Sequence, residues 1–174
     1  MLPALTALLA LGLVAPASAA AASTVDVVAP PRSAVAAEDD DKDEPGLNDP
    51  VRDGKFEFTV TKVKGGVGNI GGSDFGEDAQ GQYYLVYLTV ENIGDEAQIF
   101  MGDDQILLGP DDQEYSSDTM AEVLLENSES FLEEINPGNK VEGILAFDIP
   151  ESVTPDRIEL HDSFLSDGVT VQLR

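Results

Sequence analysis

Phe56, Phe58 and Val60 alternate with Glu57, Thr59 and Thr61. A period of two puts the apolar side chains on one face of an extended strand and the polar ones on the other. Such runs recur from here to the end of the chain, with turn residues about every ten positions. Tyr83 to Val90 is apolar on both faces, which suits a central strand. Asn92-Ile93-Gly94-Asp95 turns the chain, and Ala97–Met101 and Gln105–Leu108 read as short strands. Gly109-Pro110-Asp111-Asp112 is a further turn, before Gln113-Glu114-Tyr115. Val141–Ile149 is a strong strand with Leu145 and Phe147 on one face and Ile144 on the other. Arg157–Leu160 and Gly168–Leu173 complete seven to nine strands. Strands this short bury their faces only against another sheet. The expected fold is therefore all-β, an antiparallel β-sandwich. One short helix is predicted over Thr119–Glu126, with Ser117 or Asp118 as N-cap and Glu122 in the capping-box position. Asn136-Pro137-Gly138-Asn139 carries Pro then Gly, the order that a type II turn prefers.

Such a domain must hold together without covalent help, because the chain has no cysteine. That also removes thiol nucleophiles, redox pairs and thiolate metal sites. Residues Met1 to Val25 carry no charge. Within them Leu5–Val14 is apolar, Pro16 breaks the run, and Ala17-Ser18-Ala19-Ala20 offers a small-residue cleavage site. The order is that of a signal peptide over 1–20, although the first base is only Arg32 and a positive leading segment is missing. An uncleaved anchor is the alternative, and either leaves the remainder outside the cell. Residues 21–50 read as a disordered linker: an Ala/Pro-rich stretch with Pro30-Pro31, the block Glu38-Asp39-Asp40-Asp41-Lys42-Asp43-Glu44, then Pro45-Gly46. The folded domain is expected over 51–174.

The formal charge is −25. Phosphate backbones and anionic membrane surfaces would repel such a chain, so neither is expected as a partner. From Asp53 onward there are 26 acidic and 6 basic residues. Self-repulsion on that scale is relieved by counterions. The melting midpoint should therefore rise between low and moderate ionic strength; a flat profile would contradict this.

Several segments together resemble a known family: Gly54-Lys55-Phe56-Glu57-Phe58-Thr59-Val60, then Gly81-Gln82-Tyr83-Tyr84-Leu85-Val86 running into Val90-Glu91-Asn92, then Leu107 to Tyr115. Ile135-Asn136-Pro137-Gly138 and Gly143-Ile144-Leu145-Ala146-Phe147-Asp148-Ile149-Pro150 follow. The pattern is similar to the telokin-like secreted domain of Gram-positive bacteria, a domain of unknown function, and spans about Val51 to Arg174. The resemblance implies an immunoglobulin-like sandwich similar to the mycobacterial immunoprotective extracellular protein. It also implies a signal peptide or lipoprotein anchor followed by a low-complexity linker. Lipidated members carry a Cys that this chain lacks, and the family offers no established catalytic residues to transfer.

The chemistry-bearing motifs are weak. Gly66-Val67-Gly68-Asn69-Ile70-Gly71 matches G-x-G-x-x-G, but Gly72-Ser73-Asp74-Phe75-Gly76 follows it instead of a helix-forming run. A dinucleotide site needs that helix. Residues 65–81 are expected instead to form a mobile loop. Ser73 lacks a nucleophile-elbow context. His161, the single histidine, is expected to be a solvated loop side chain despite its neighbours Asp162, Ser163 and Ser166. Asp103-Asp104 and Asp111-Asp112 flank a strand of four residues, which holds them about 13 Å apart, too far for one calcium ion. They read as solvated turns. Tyr83 and Tyr87 share one strand face and Tyr84 the other, so one tyrosine set lies nearer solvent, and exposed tyrosines mark contact surfaces. No catalytic, cofactor-binding or metal-ligating residue is assigned, and no cofactor is expected. The functional expectation is an exported, non-enzymatic interaction module that binds a protein or cell-envelope component. The alternatives are an envelope-polymer hydrolase using a carboxylate pair and a calcium-stabilised structural module.

Overall fold

The computed structural model describes residues 44–72, 74–125, 131 and 134–174. The signal peptide over 1–20 and residues 21–43 of the linker lie outside them. The elements, in order, are β1 (Pro50–Asp53), β2 (Phe56–Ile70), β3 (Glu77–Asn92), β4 (Gln98–Ile99), a 3-10 turn (Gly102–Asp104) and β5 (Ile106–Leu108). They are followed by β6 (Glu114–Ser116), α1 (Thr119–Val123), β7 (Glu134–Ile135), β8 (Lys140–Ile149), β9 (Arg157–Leu160) and β10 (Val169–Gln172). Two four-stranded sheets, β1-β2-β3-β8 and β10-β9-β5-β6, are joined by the small pair β4-β7. Every pairing is antiparallel.

The period-two pattern does what it predicts. Register pairs Phe58 with Val90, and Val90 with Val141. One row of the first sheet thus presents three apolar side chains to the interior. Leu107, Ile158, Leu160 and Val171 meet them from the second sheet. Four phenylalanines fill the space between. Phe56, Phe58 and Phe100 lie about each other at 5.9–6.1 Å, and Phe131 stands edge-on to Phe100 at 4.9 Å. Aromatic pairs at these angles gain roughly 1 kcal/mol beyond the area they bury. Gly143 makes room for Phe131, whose ring lies 2.4 Å from where a Cβ would stand. The chain joins this core before β1: Leu47 packs against it, and Asn48 N–H donates to the Val60 carbonyl at 2.8 Å. The last residues of the expected linker therefore belong to the domain.

β3 is central, as its two apolar faces predict, but its second face is not covered by a sheet. Ile70, Tyr83, Leu85, Ala121 and Ala146 form a separate cluster, with Leu124 and Leu125 packed on it. The cover is α1 and the turn after it. The helix is Thr119–Val123, shorter than the expected Thr119–Glu126, and Glu126 lies outside the described residues. Asp118 is the cap, accepting from the Ala121 N–H at 3.0 Å. Glu122 does not fold back to complete a capping box. Its Oε1 reaches across to accept from the Ala146 N–H at 3.1 Å, while Asp118 N–H donates to the Ala146 carbonyl at 2.7 Å. β8 is the edge of its sheet. A carboxylate and a cap residue thus stand where the next strand's amide and carbonyl would be.

The glycine-rich segment is not the expected loop. β2 runs through it to Ile70, and β3 begins at Glu77. The irregularity is absorbed as register shifts at Val60/Lys62, Lys64/Val67 and Val67/Asn69. Gly66 takes φ +71° inside the strand, a value that glycine accepts without strain. Ile70, 2% exposed, anchors the far end beneath α1. Asn136-Pro137-Gly138-Asn139 forms its turn as predicted: Gly138 has φ +76° and the Asn139 N–H donates to the Asn136 carbonyl at 2.9 Å.

Two buried amides tie the loops to the sandwich. Asn92 donates from Nδ2 to the carbonyls of Glu96 and Ile135, both at 2.7 Å, and its Oδ1 accepts from Gly94 N–H at 2.9 Å. Gln105 donates to the Met101 and His161 carbonyls and accepts from His161 N–H at 2.8 Å. Both side chains are fully buried with every polar atom used.

Candidate functional site

Strand register decides which side chains share the outward face of the first sheet. Lys62 pairs with Tyr87 and Tyr87 with Ile144; Lys64 pairs with Leu85 and Leu85 with Ala146. The face is buried at one end, where α1 covers Leu85 and Ala146, and open at the other. Two shallow depressions cross it. One, about 880 Å³, is lined by residues that include Thr61, Tyr87, Thr89, Lys140, Glu142 and Ile144. The other, about 570 Å³, is lined by Lys64, Val67, Tyr87, Ile144, Leu124 and their neighbours. They share Tyr87 and Ile144, so they form one groove with a half-buried tyrosine at its centre. Lys62 Nζ sits 4.9 Å from the Tyr87 ring centroid, a cation–π contact. The other strand tyrosines do not reach this surface: Tyr83 is 1% and Tyr84 8% exposed. Sequence alternation put Tyr83 and Tyr87 on one face, as observed. It could not show that a helix distant in sequence covers only Tyr83.

A smaller cavity of about 290 Å³ lies between the 3-10 turn and α1, lined by Phe100, Gly102, Asp103, Glu122, Val123 and Phe131 among others. Glu122 is its buried acid. Desolvation pushes its carboxyl up to about 7, with nearby Asp118 and Asp103 adding to the rise. Hydrogen bonds from the Ala146 amide and Ser117 hydroxyl oppose it. A carboxylate-pair hydrolase needs two acids flanking a cleft, one with a raised pKa. Here the second carboxyl, Asp103, is exposed, and Glu122 is already spent on Ala146 and Ser117. The arrangement fits a structural tie. Glu122 stood out in sequence only as a helix-start residue; its burial depends on Ala146 of β8, 24 positions later.

His161 is not solvated. It is 8% exposed, and the ring closes against Gly168, whose φ is +73°, so close that a Cβ there would stand 2.6 Å from Cε1. Nε2 is 2.9 Å from Glu159 Oε1, within ion-pair distance but outside hydrogen-bonding geometry. Nδ1 lies 3.3 Å from the Ser166 carbonyl and 3.5 Å from its hydroxyl. A relay would need a buried acid on one ring nitrogen and an open serine on the other. Glu159 is partly exposed and Ser166 Oγ donates to the Ser163 carbonyl at 2.8 Å, so the grouping fixes the β9–β10 loop instead. The sequence expectation failed because Gly168, seven residues on, could not be foreseen to fold over the ring.

The G-x-G-x-x-G match lies within β2 and its turn, with no helix to hold a pyrophosphate. Ser73 lies outside the described residues. The two acidic turns stay separate in their contacts: Asp112 pairs with Arg157 at 2.6 Å, whereas Asp103 and Asp104 belong to the 3-10 turn. No group of three metal-ligating side chains occurs among the described residues.

Fold and surface together define an all-β, immunoglobulin-like sandwich domain with a groove across one sheet. The chain belongs to the DUF4352 family, a domain of unknown function whose sequence profile matches residues 45–170. No curated protein sequence matches it significantly. Solved structures share the fold, and three of them illustrate it. A secreted protein from Mycobacterium tuberculosis, MPT63, superposes with TM-score 0.57 at 14% identity, over 75% of this chain and 96% of that one. The yjhA protein from Bacillus subtilis gives 0.53 at 19% identity, over 75% and 99%. A functionally unknown protein from Listeria monocytogenes gives 0.53 at 13% identity, over 75% and 83%. The sandwich predicted from alternating residues is thereby shown, as is the family resemblance.

Proposed function

We propose that the chain is an exported, non-enzymatic binding module that holds a protein or cell-envelope component against the outer face of its first sheet. The observation that carries this reading is the groove centred on Tyr87 and Ile144. It is a sheet face left open, among the described residues, beside Tyr87, whereas Tyr83 and Tyr84 of the same strand are buried. Half-exposed tyrosine gives large contact area with little side-chain entropy to lose, which suits recognition. Placement outside the cell is supported by the uncharged, apolar, small-residue order of residues 1–20 and by the secreted mycobacterial protein among the structural relatives. No described helix is long and apolar enough to cross a membrane.

Mass spectrometry of the culture supernatant tests export, with an N-terminus near Ala21 as the expected result. Retention of the chain on native envelope material, compared with a Tyr87→Asp/Ile144→Asp variant, tests the face. Retention should fall at least fivefold while the melting midpoint stays within a few degrees. Equal retention would reject the reading.

A further inference from the structure

Only part of β2 has a neighbour on its outer side. β1 pairs with Phe56 to Thr59, and Asn48 N–H takes the Val60 carbonyl. Beyond Val60 no described strand follows, so among the described residues the edge from Thr61 to Ile70 is open on that side, save for Gly66 N–H, which donates to Gln82 Oε1 at 2.8 Å. An open edge offers unpaired backbone amides and carbonyls to any extended chain.

The same segment carries a charge anomaly. Arg52, Lys55, Lys140, Arg157 and Arg174 each contact a carboxylate. Lys62 and Lys64 have no such contact among the described residues. Their rows across the sheet hold no acid either: Lys62 runs to Tyr87 and Ile144, and Lys64 to Leu85 and Ala146. In a chain of net charge −25, two adjacent uncompensated cations mark a local reversal of sign. At physiological ionic strength the Debye length is about 8 Å, so distant acids do not cancel it. Lysines and bulges on an edge ordinarily deter neutral strands from adding. A strand of opposite charge converts that barrier into attraction.

We infer that the open edge of β2 receives an extended acidic segment of a partner protein, its backbone pairing beside Lys62 to Val67 and its carboxylates facing Lys62 and Lys64. Side chains two residues apart on one strand stand about 6.8 Å apart. An added strand with acids at i and i+2 therefore meets both lysines at once, through cross-strand pairs of opposite charge. Main-chain bonds supply affinity and the alternate carboxylates supply selection. This inference rests on the binding-module reading and names the partner for one margin of its groove.

The test uses two fluorescein-labelled nonapeptides of identical composition, threonine-rich, with glutamates at positions 4 and 6 or at 4 and 7. The first should bind the intact chain at least fivefold more tightly. Lys62→Glu/Lys64→Glu should weaken it tenfold or more, and backbone N-methylation of the peptide should do the same. Amide shifts in an NMR titration should concentrate in Thr61–Val67. Equal binding of the two peptides, equal displacement by short-chain polyphosphate, shifts centred elsewhere or no saturation at millimolar peptide would each overturn the inference. If the peptides fail while envelope retention still depends on Tyr87 and Ile144, only the acidic-strand inference falls.

Discussion

Replacing Glu122 with glutamine should stabilise the domain at pH 8 by about 2–3 kcal/mol and change it little at pH 4.5. The carboxyl is buried and its pKa stands at about 7, against 4.5 for an ordinary glutamate. The native state therefore binds a proton that the unfolded state releases between those values. Linkage makes the contribution fully present below about 4.5, diminishing as pH rises, and gone above about 7. A difference of that size corresponds to roughly 3 kcal/mol between the two ends. Glutamine keeps an acceptor for the Ala146 N–H and carries no charge to desolvate. Part of the gain is lost if its NH2 group finds a poorer partner than the hydroxyl of Ser117. Urea unfolding of both proteins at several pH values isolates the effect, because the other carboxylates titrate alike in each. A difference between the two proteins that does not change with pH would show that Glu122 is ionised at little cost.

Asn92→Ala should cost more than any exposed substitution, roughly 3–4 kcal/mol, by stranding three backbone groups. The Glu96 and Ile135 carbonyls lose their donor, and the Gly94 N–H loses its acceptor. Asn92 itself is wholly buried and its bond to Ile135 is enclosed, so water does not reach that carbonyl without opening the structure. The backbone of Asn92 also holds the Asn136–Asn139 turn, accepting from Gly138 and donating to Asn139. The loosened region should therefore include that turn. Chemical denaturation gives the magnitude and hydrogen exchange the extent. A loss under 1 kcal/mol would mean that the amide network is dispensable.

What the sequence disclosed and what it withheld follow one rule. Alternation is local, so Phe56–Val60, Val141–Ile149 and Arg157–Leu160 could be placed from their own residues. The Asn-Pro-Gly turn and the Asp118 cap were legible for the same reason: each is a short-range bond between backbone and a neighbour. Features that depend on remote chain were not. Gly66 looks like a loop residue, because a bulged strand and a flexible segment use glycine alike. Glu122 looks like a capping residue until β8 arrives with an edge amide to satisfy. His161 looks exposed until Gly168 lies across it. In the candidate site, Tyr87 and Tyr83 shared one face in the sequence, but which of them stayed open was decided by Leu124 and Leu125. The open edge of β2 was invisible, because a strand's own residues do not say where its neighbour stops.

The order in which partners occur along the chain sets a condition on how it can assemble. β2 and β3 are consecutive, but β3 waits for β8 and β5 waits for β9. The final stretch, residues 140–172, supplies one strand to the first layer and two to the second. A polypeptide still missing that stretch can pair β1, β2 and β3 and, separately, β5 with β6, but each layer then lacks strands that complete it. The two layers can thus close on each other in full only once residues 140–172 have left the ribosome.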